Sequence, residues 1–426
     1  MAPPRPTPPP RAPRRGLGRL ALAAAVLGVA LGTTLGWQWW QERPLRAAEM
    51  ELARGNAPRA LALAEYFLDL HPGSGRAEAA RARALVSLGK GAEASAIYER
   101  IGAATADDLV AWARSFMLRE QWSRAAAILE QVLRVRPDDA DALYELGTCR
   151  TRLGRFDDAA EAATRFAALP GQQARGDVLL GAIRADAGDP ETAAAAYARA
   201  FALAPDGEGL QIPPEEFLVQ YATILMNLGR TEDAMPLLEK SLASTPTPAA
   251  HHLLGKAVAR EGDESAAETH WLAAIELDPA AVSPREDLVG AALTRGDTAA
   301  ARTWIAPLAR IADGRFQTAY LFQRLAAAEK DDEAFARWKA VADRLRVAED
   351  RVKTLELGMA KSPDAYWSRV VRAHKFASLG NWDQARDLVE SVPKESDEPA
   401  FVAALREALR TRGTLPSLDL VPLDTH

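Results

Sequence analysis

Residues 174–205, ARGDVLLGAIRADAGDPETAAAAYARAFALAP, decide the fold of this 426-residue chain. Leu180, Gly181 and Ile183 place apolar or small side chains along one face of a first helix. Gly188 ends that helix, because a helix commonly terminates on a left-handed residue and glycine takes that conformation without steric cost. Asp189 is placed to cap the next helix by accepting from its free amides, and Pro190 suits its first position. In the second helix Ala193, Tyr197 and Ala200 follow at spacings of four and three and share one stripe. Small residues at Gly181 and Ala193 let the two helices approach closely while Tyr197 fills the space beside them, and Pro205 ends the unit. A hairpin this small cannot bury its own apolar face, so neighbouring hairpins must stack.

The same unit recurs along the chain. An alanine returns at Ala60, Ala94, Ala125, Ala159, Ala193, Ala234, Ala267, Ala301, Ala334 and Ala385, a spacing of about 34 residues in most cases. Glycine stands five residues earlier at Gly55, Gly89, Gly154, Gly188, Gly229, Gly262, Gly296 and Gly380. Proline stands twelve residues later at Pro72, Pro137, Pro205, Pro246 and Pro279.

The order Leu-Gly, turn glycine, alanine, aromatic, proline resembles the tetratricopeptide repeat family. It is seen again in Leu146-Gly147, Gly154, Ala159 and Pro170, and in Leu254-Gly255, Gly262, Ala267, Trp271 and Pro279. The resemblance implies an all-α, right-handed α-solenoid of about ten helix-turn-helix repeats. Their boundaries are 41–74, 75–105, 106–139, 140–170, 174–205, 215–246, 248–279, 282–313, 315–345 and 366–392. Residues 206–214 form an insertion, 332–361 read as an extended helix, and 396–426 as a capping helix followed by a loose tail. The repeat array, 41–395, is expected to be elongated, with each hairpin stabilised by its neighbours.

The N-terminal forty residues carry a second signal. Residues 1–19 contain seven prolines before residue 14 and then an arginine cluster, the composition of a solvated cytoplasmic segment. From Leu20 to Trp37 there is no charge, and Trp37, Trp39 and Trp40 follow. Residues 20–40 are therefore read as a transmembrane helix, a signal anchor with aromatic residues at the far interface. The rival is a cleaved secretory signal, for which the apolar run is long and Thr34-Leu35-Gly36 a mediocre site. The arginines keep the N-terminus cytoplasmic and place the repeats on the outer, periplasmic side. Ala24, Gly28, Gly32 and Gly36 form a small-residue face suited to a transmembrane homodimer.

Formal net charge is −6, and −11 once the five arginines before residue 40 are set aside, which argues against nucleic acid as a partner. One cysteine, Cys149, excludes an internal disulfide. Phosphate-loop, zinc-protease and nucleophile-elbow motifs do not occur, so no catalysis, cofactor or metal is expected. Among the six histidines only His251, His252 and His270 cluster, and adjacent His251 and His252 face different ways on a helix.

The resemblance further implies that ligands lie along the first helix of each repeat. The matching positions are Arg83, Val86, Arg114, Met117, Tyr144, Arg152, Val219, Met226, His252, Lys256 and Arg260. This mixed lining fits extended peptide segments. The reading is a non-catalytic, membrane-anchored scaffold for protein partners, organising or assembling a cell-envelope complex. The alternative is a periplasmic holdase or assembly chaperone.

Overall fold

The computed structural model describes residues 41–361, 366–378, 382–393 and 398–422. The expected membrane span 20–40, the segment before it, and the face formed by Ala24, Gly28, Gly32 and Gly36 lie outside the described residues. Among the described residues all regular structure is helical, and no helix is long and apolar enough to cross a membrane. The chain divides into two compact units, Met1–Leu118 and Arg119–His426, and the division falls inside the third expected repeat.

The first unit contains α1 (Arg43–Ala53), α2 (Ala57–Leu70), α3 (Gly75–Ser87), α4 (Gly91–Ile101) and α5 (Ala106–Met117). The second contains α6 (Trp122–Val135), α7 (Ala140–Arg152), α8 (Phe156–Ala167), α9 (Gln173–Asp186), α10 (Pro190–Leu203), α11 (Pro214–Asn227) and α12 (Thr231–Ser244). It continues through α13 (Pro248–Arg260), α14 (Glu264–Leu277), α15 (Ser283–Thr294), α16 (Thr298–Ile305) and α17 (Phe316–Glu329). It ends with α18 (Asp332–Lys361), α19 (Tyr366–Ser378), α20 (Trp382–Glu390) and α21 (Ala400–Thr411). Within each unit the helices pack pairwise as tetratricopeptide-like hairpins.

The quoted stretch folds as its residues dictate. The Asp189 side chain accepts from the Thr192 amide and Pro190 opens α10. Gly188 has φ +80°, the left-handed conformation that closes α9. Tyr197 is buried, its ring so near Gly181 that a Cβ there would lie 2.9 Å from it. Gly255 and Trp271 repeat the arrangement in the α13–α14 hairpin, where a Cβ would lie 2.5 Å from the indole nitrogen. The core is a string of clusters along the stack rather than one centre.

Three features depart from the regular pattern. Helix α16 stops at Ile305, because Pro307 lacks an amide to continue it, and two 3₁₀ turns, Ala306–Leu308 and Ala312–Gly314, carry the chain onward. The described part of the tail after α21, to residue 422, is fastened rather than loose: Val421 is buried, and Arg351 donates to the carbonyls of Leu418 and Val421. Contacts in the second unit also go beyond neighbouring hairpins. Arg372 on α19 stacks over the Phe156 ring at 4.2 Å and donates to the Gly154 carbonyl at 3.3 Å. The expectation that only adjacent hairpins touch is corrected there.

The packing of glycine against Tyr197 makes a paired prediction. Gly181→Ala forces the buried ring aside and is expected to destabilise by about 1–3 kcal/mol. Gly290→Ala, in the middle of α15 with open space around its would-be Cβ, is expected to stabilise by about 0.5–1 kcal/mol. Chemical denaturation of the two variants measures both signs.

Candidate functional site

Four of the expected groove residues come together in the first unit. Along α3, Arg83 borders a cavity of about 470 Å³, whose wall includes Glu49, Arg76, Ala79, Thr105 and Asp108. Three residues further on, Val86 borders a second cavity of about 400 Å³, completed by Ser87, Arg114, Met117 and Leu118. The two wells follow one another along the seam between α3 and α5.

The polar end of this seam is built by the start of α5. Thr105 caps the helix by accepting from the Asp108 amide, and Asp108 accepts in return from the Thr105 amide and hydroxyl at 3.1 and 2.7 Å. Asp108 is only 3% exposed, and its second oxygen faces the Arg83 guanidinium at 3.6 Å. This ion pair sets Arg83 beside Asp108 along the cavity wall. Beneath them Tyr98 stacks with Trp112 at 6.1 Å. Burial, with the Asp108 charge adding to it and Arg83 opposing, holds the Tyr98 hydroxyl well above its ordinary range. At the rim Arg76 grips Glu49 with both arms of its fork, at 2.8 and 2.7 Å. Arg76 is pushed further above its usual value by that bond.

Asp108 is held by its cap hydrogen bonds and faces Arg83 as an ion pair. The second well is apolar, with Leu118 48% exposed beside half-buried Met117, and Arg114 supplies a positive charge next to it. Such a seam suits a bulky apolar side chain with an acidic neighbour. The sequence reading missed Thr105, Asp108 and Trp112, although the Thr105-x-x-Asp108 capping spacing was visible.

In the second unit the expected residues are dispersed over α7, α11 and α13. Tyr144 meets Phe166 edge-on at 5.4 Å, and Arg175 covers both rings. Arg152 lies over the Trp122 ring at 5.9 Å. Val219 packs partly buried against the core, and Lys256 is partly buried. Met226, 5% exposed, belongs to the core itself; its assignment to the groove is corrected, because α11 is enclosed at that position. Arg260 donates to the Met226 carbonyl at 3.4 Å and to the Thr231 hydroxyl at 3.3 Å.

The histidines part as their adjacency on a helix requires. His252 Nε2 meets Asp287 at 2.7 Å, while His251 Nδ1 lies 3.1 Å from His270 Nδ1. Burial pulls both His251 and His270 below the usual histidine range; for His251 the neighbouring ring adds to it, whereas Glu239 opposes it at His270. Among the described residues no group of three or more histidines, cysteines or carboxylates could hold a metal ion. Cys149 is buried, which raises its thiol far above the ordinary value.

The tetratricopeptide repeat pattern matches residues 51–114, 110–174 and 184–257. Several solved structures are similar at low identity. A thermophilic repeat protein of Thermus thermophilus shares 23% identity at a TM-score of 0.35, covering 44% of this chain and 99% of its own. YrrB, described as having an unusual peptide-binding site, shares 20% at 0.34, covering 38% and 86%. A human IFIT1 dimer with PPP-AAAA shares 16% at 0.42, covering 81% and 88%. No curated protein matches the chain.

The histidine pair makes a pH prediction. Both groups have folded values below that of the unfolded chain, so the unfolded state binds more protons at acidic pH. Their contribution is complete above about pH 6.5 and is lost as the pH falls below it. Between about pH 7.5 and pH 5 the melting temperature of His270→Gln is expected to fall less than that of the native chain. Parallel curves would contradict the assignment.

Proposed function

We propose that this tetratricopeptide repeat protein is a membrane-anchored scaffold whose first unit holds an extended segment of a partner protein. The repeats make it a scaffold for protein–protein interactions. The observation that carries the finer reading is the seam itself. Arg83, Val86, Arg114 and Met117, marked by their repeat positions, border two successive wells along α3. An apolar side chain of the partner enters the Val86–Met117–Leu118 well, and an acidic neighbour meets Arg114.

The anchor rests on the uncharged run from Leu20 to Trp40 preceded by arginines. The arrangement keeps the repeats beside the outer face of the membrane and raises the local concentration of membrane partners. Assembly or organisation of a cell-envelope complex is the role that fits both parts. The small-residue face of Ala24, Gly28, Gly32 and Gly36 would pair two copies within the bilayer.

Crosslinking in native membranes, followed by mass spectrometry, is expected to recover one stoichiometric partner. Met117→Glu, which puts a charge into the apolar well, is expected to weaken that capture about tenfold or more. Val347→Glu, at a position already 65% exposed in the second unit, is expected to leave it unchanged. Recovery of many unrelated unfolded chains instead would favour the holdase reading. Sequencing the N-terminus of the mature protein is expected to find the span uncleaved, and a start near Trp37 would end the anchor proposal.

A further inference from the structure

The first hairpin carries an apolar surface at the end where the chain enters it. On α2, Ala60, Ala64 and Phe67 are buried, whereas Tyr66 and Leu70, one turn apart, are 55% and 56% exposed. The end of α2 lies beside the start of α1. Gln41, Arg43, Pro44, Tyr66, Leu70 and His71 together line a well of about 430 Å³. The His71 ring lies 4.6 Å from that of Phe67, which ties this well to the core of the hairpin. Arg43 is exposed on its wall.

The chain leading into the well says what stands in front of it. Gln41, one of the lining residues, is joined directly to Trp40, the last residue of the run read as the membrane span. Consecutive Cα atoms are about 3.8 Å apart. The headgroup layer on either side of the hydrocarbon core is roughly 5–8 Å deep. With residues 20–40 as the anchor, Gln41 stands in that layer or at its edge, and the well stands there with it.

Its residues suit that place. A tyrosine ring has an apolar body and a polar hydroxyl, which fits the depth where acyl chains give way to headgroups. A leucine gains by leaving water for the acyl boundary, and an arginine lays its stem there while its charge meets phosphate. Asp69, exposed on the same helix between Tyr66 and Leu70, offsets the charge of Arg43. The contact therefore needs no excess of anionic lipid.

We propose that this corner of the first hairpin docks on the lipid–water interface, with Tyr66 and Leu70 entering the headgroup region and Arg43 meeting lipid phosphate. The inference rests on the anchor reading and extends it. A single span leaves the first unit free to swivel about residue 41. A second contact with the bilayer fixes its orientation, so that the α3–α5 seam meets membrane partners from a constant direction.

The full chain in phosphatidylcholine vesicles containing a headgroup-labelled nitroxide lipid tests the docking. A fluorophore is attached at Pro72→Cys, an exposed position two residues beyond Leu70, while native Cys149 is fully buried and stays unlabelled. The nitroxide lipid is expected to quench the label at least about twofold. Replacing both apolar residues, Tyr66→Ser with Leu70→Ser, is expected to cut that quenching by half or more, with the chain still retained after an alkaline wash. A retained chain whose label is not quenched would overturn the docking alone. Quenching unchanged by the double substitution would overturn it too, since the tether by itself would then hold the label near the lipid. A chain released by the wash would end the anchor reading, and the docking with it.

Discussion

The close crossing of two helices at the recurrent alanine is the constraint on which each hairpin depends. Ala60, Ala94, Ala125, Ala159, Ala193, Ala234, Ala267, Ala301 and Ala385 all have 0% exposure. A larger side chain at any of them would hold the helices apart and undo the packing on either side. The space left by so small a contact is closed from the opposite helix. Gly181 receives Tyr197, Gly255 receives Trp271, and Ala82 and Tyr98 occupy the same positions in α3 and α4. The pairing joins a small residue on the first helix to a ring sixteen residues later on the second. That is why the recurrence shows in the sequence, although the solenoid itself was read from the family resemblance that the recurrence carries.

Turn geometry proved more persistent than the residue that marks it. Gly55, Gly89, Gly154, Gly188, Gly229, Gly262 and Gly296 all take positive φ. The alanines at 125 and 334 have no glycine before them, yet Glu120 and Lys330 adopt φ +57° and +58° in the corresponding turns. Non-glycine residues accept that strain at roughly 1–2 kcal/mol, so stacking must over-determine the turn there. Ala334 is also the one recurrent alanine that is partly exposed. Its helix runs 30 residues instead of ending in a repeat, and the packing that buries the other alanines is relaxed.

The candidate site was legible to the extent that it is inherited from the repeat. Arg83, Val86, Arg114 and Met117 sit on the same face of α3 and α5, and that face lines the wells. Met226 failed the same argument because its surroundings are not those of an average repeat. Phe217, Tyr221 and Leu225 draw α11 into a continuous apolar cluster that encloses its end. The contact between α19 and α8 left no trace in the periodicity. It joins residues 218 positions apart through an arginine and a backbone carbonyl, and arginine is too common on surfaces to signal a partner.

Such a contact changes how stability is shared in the second unit. In a stack, each hairpin owes its stability to itself and its neighbours, so ends fray first. A bond from α19 to the α7–α8 turn makes the two ends of that unit depend on one another. The cation–π contact and the charge-assisted hydrogen bond of Arg372 contribute roughly 1–5 kcal/mol together. The apolar clusters between them do not include it. A change at Arg372 or Phe156 is therefore felt at both ends of the unit directly, without being relayed through the hairpins between them.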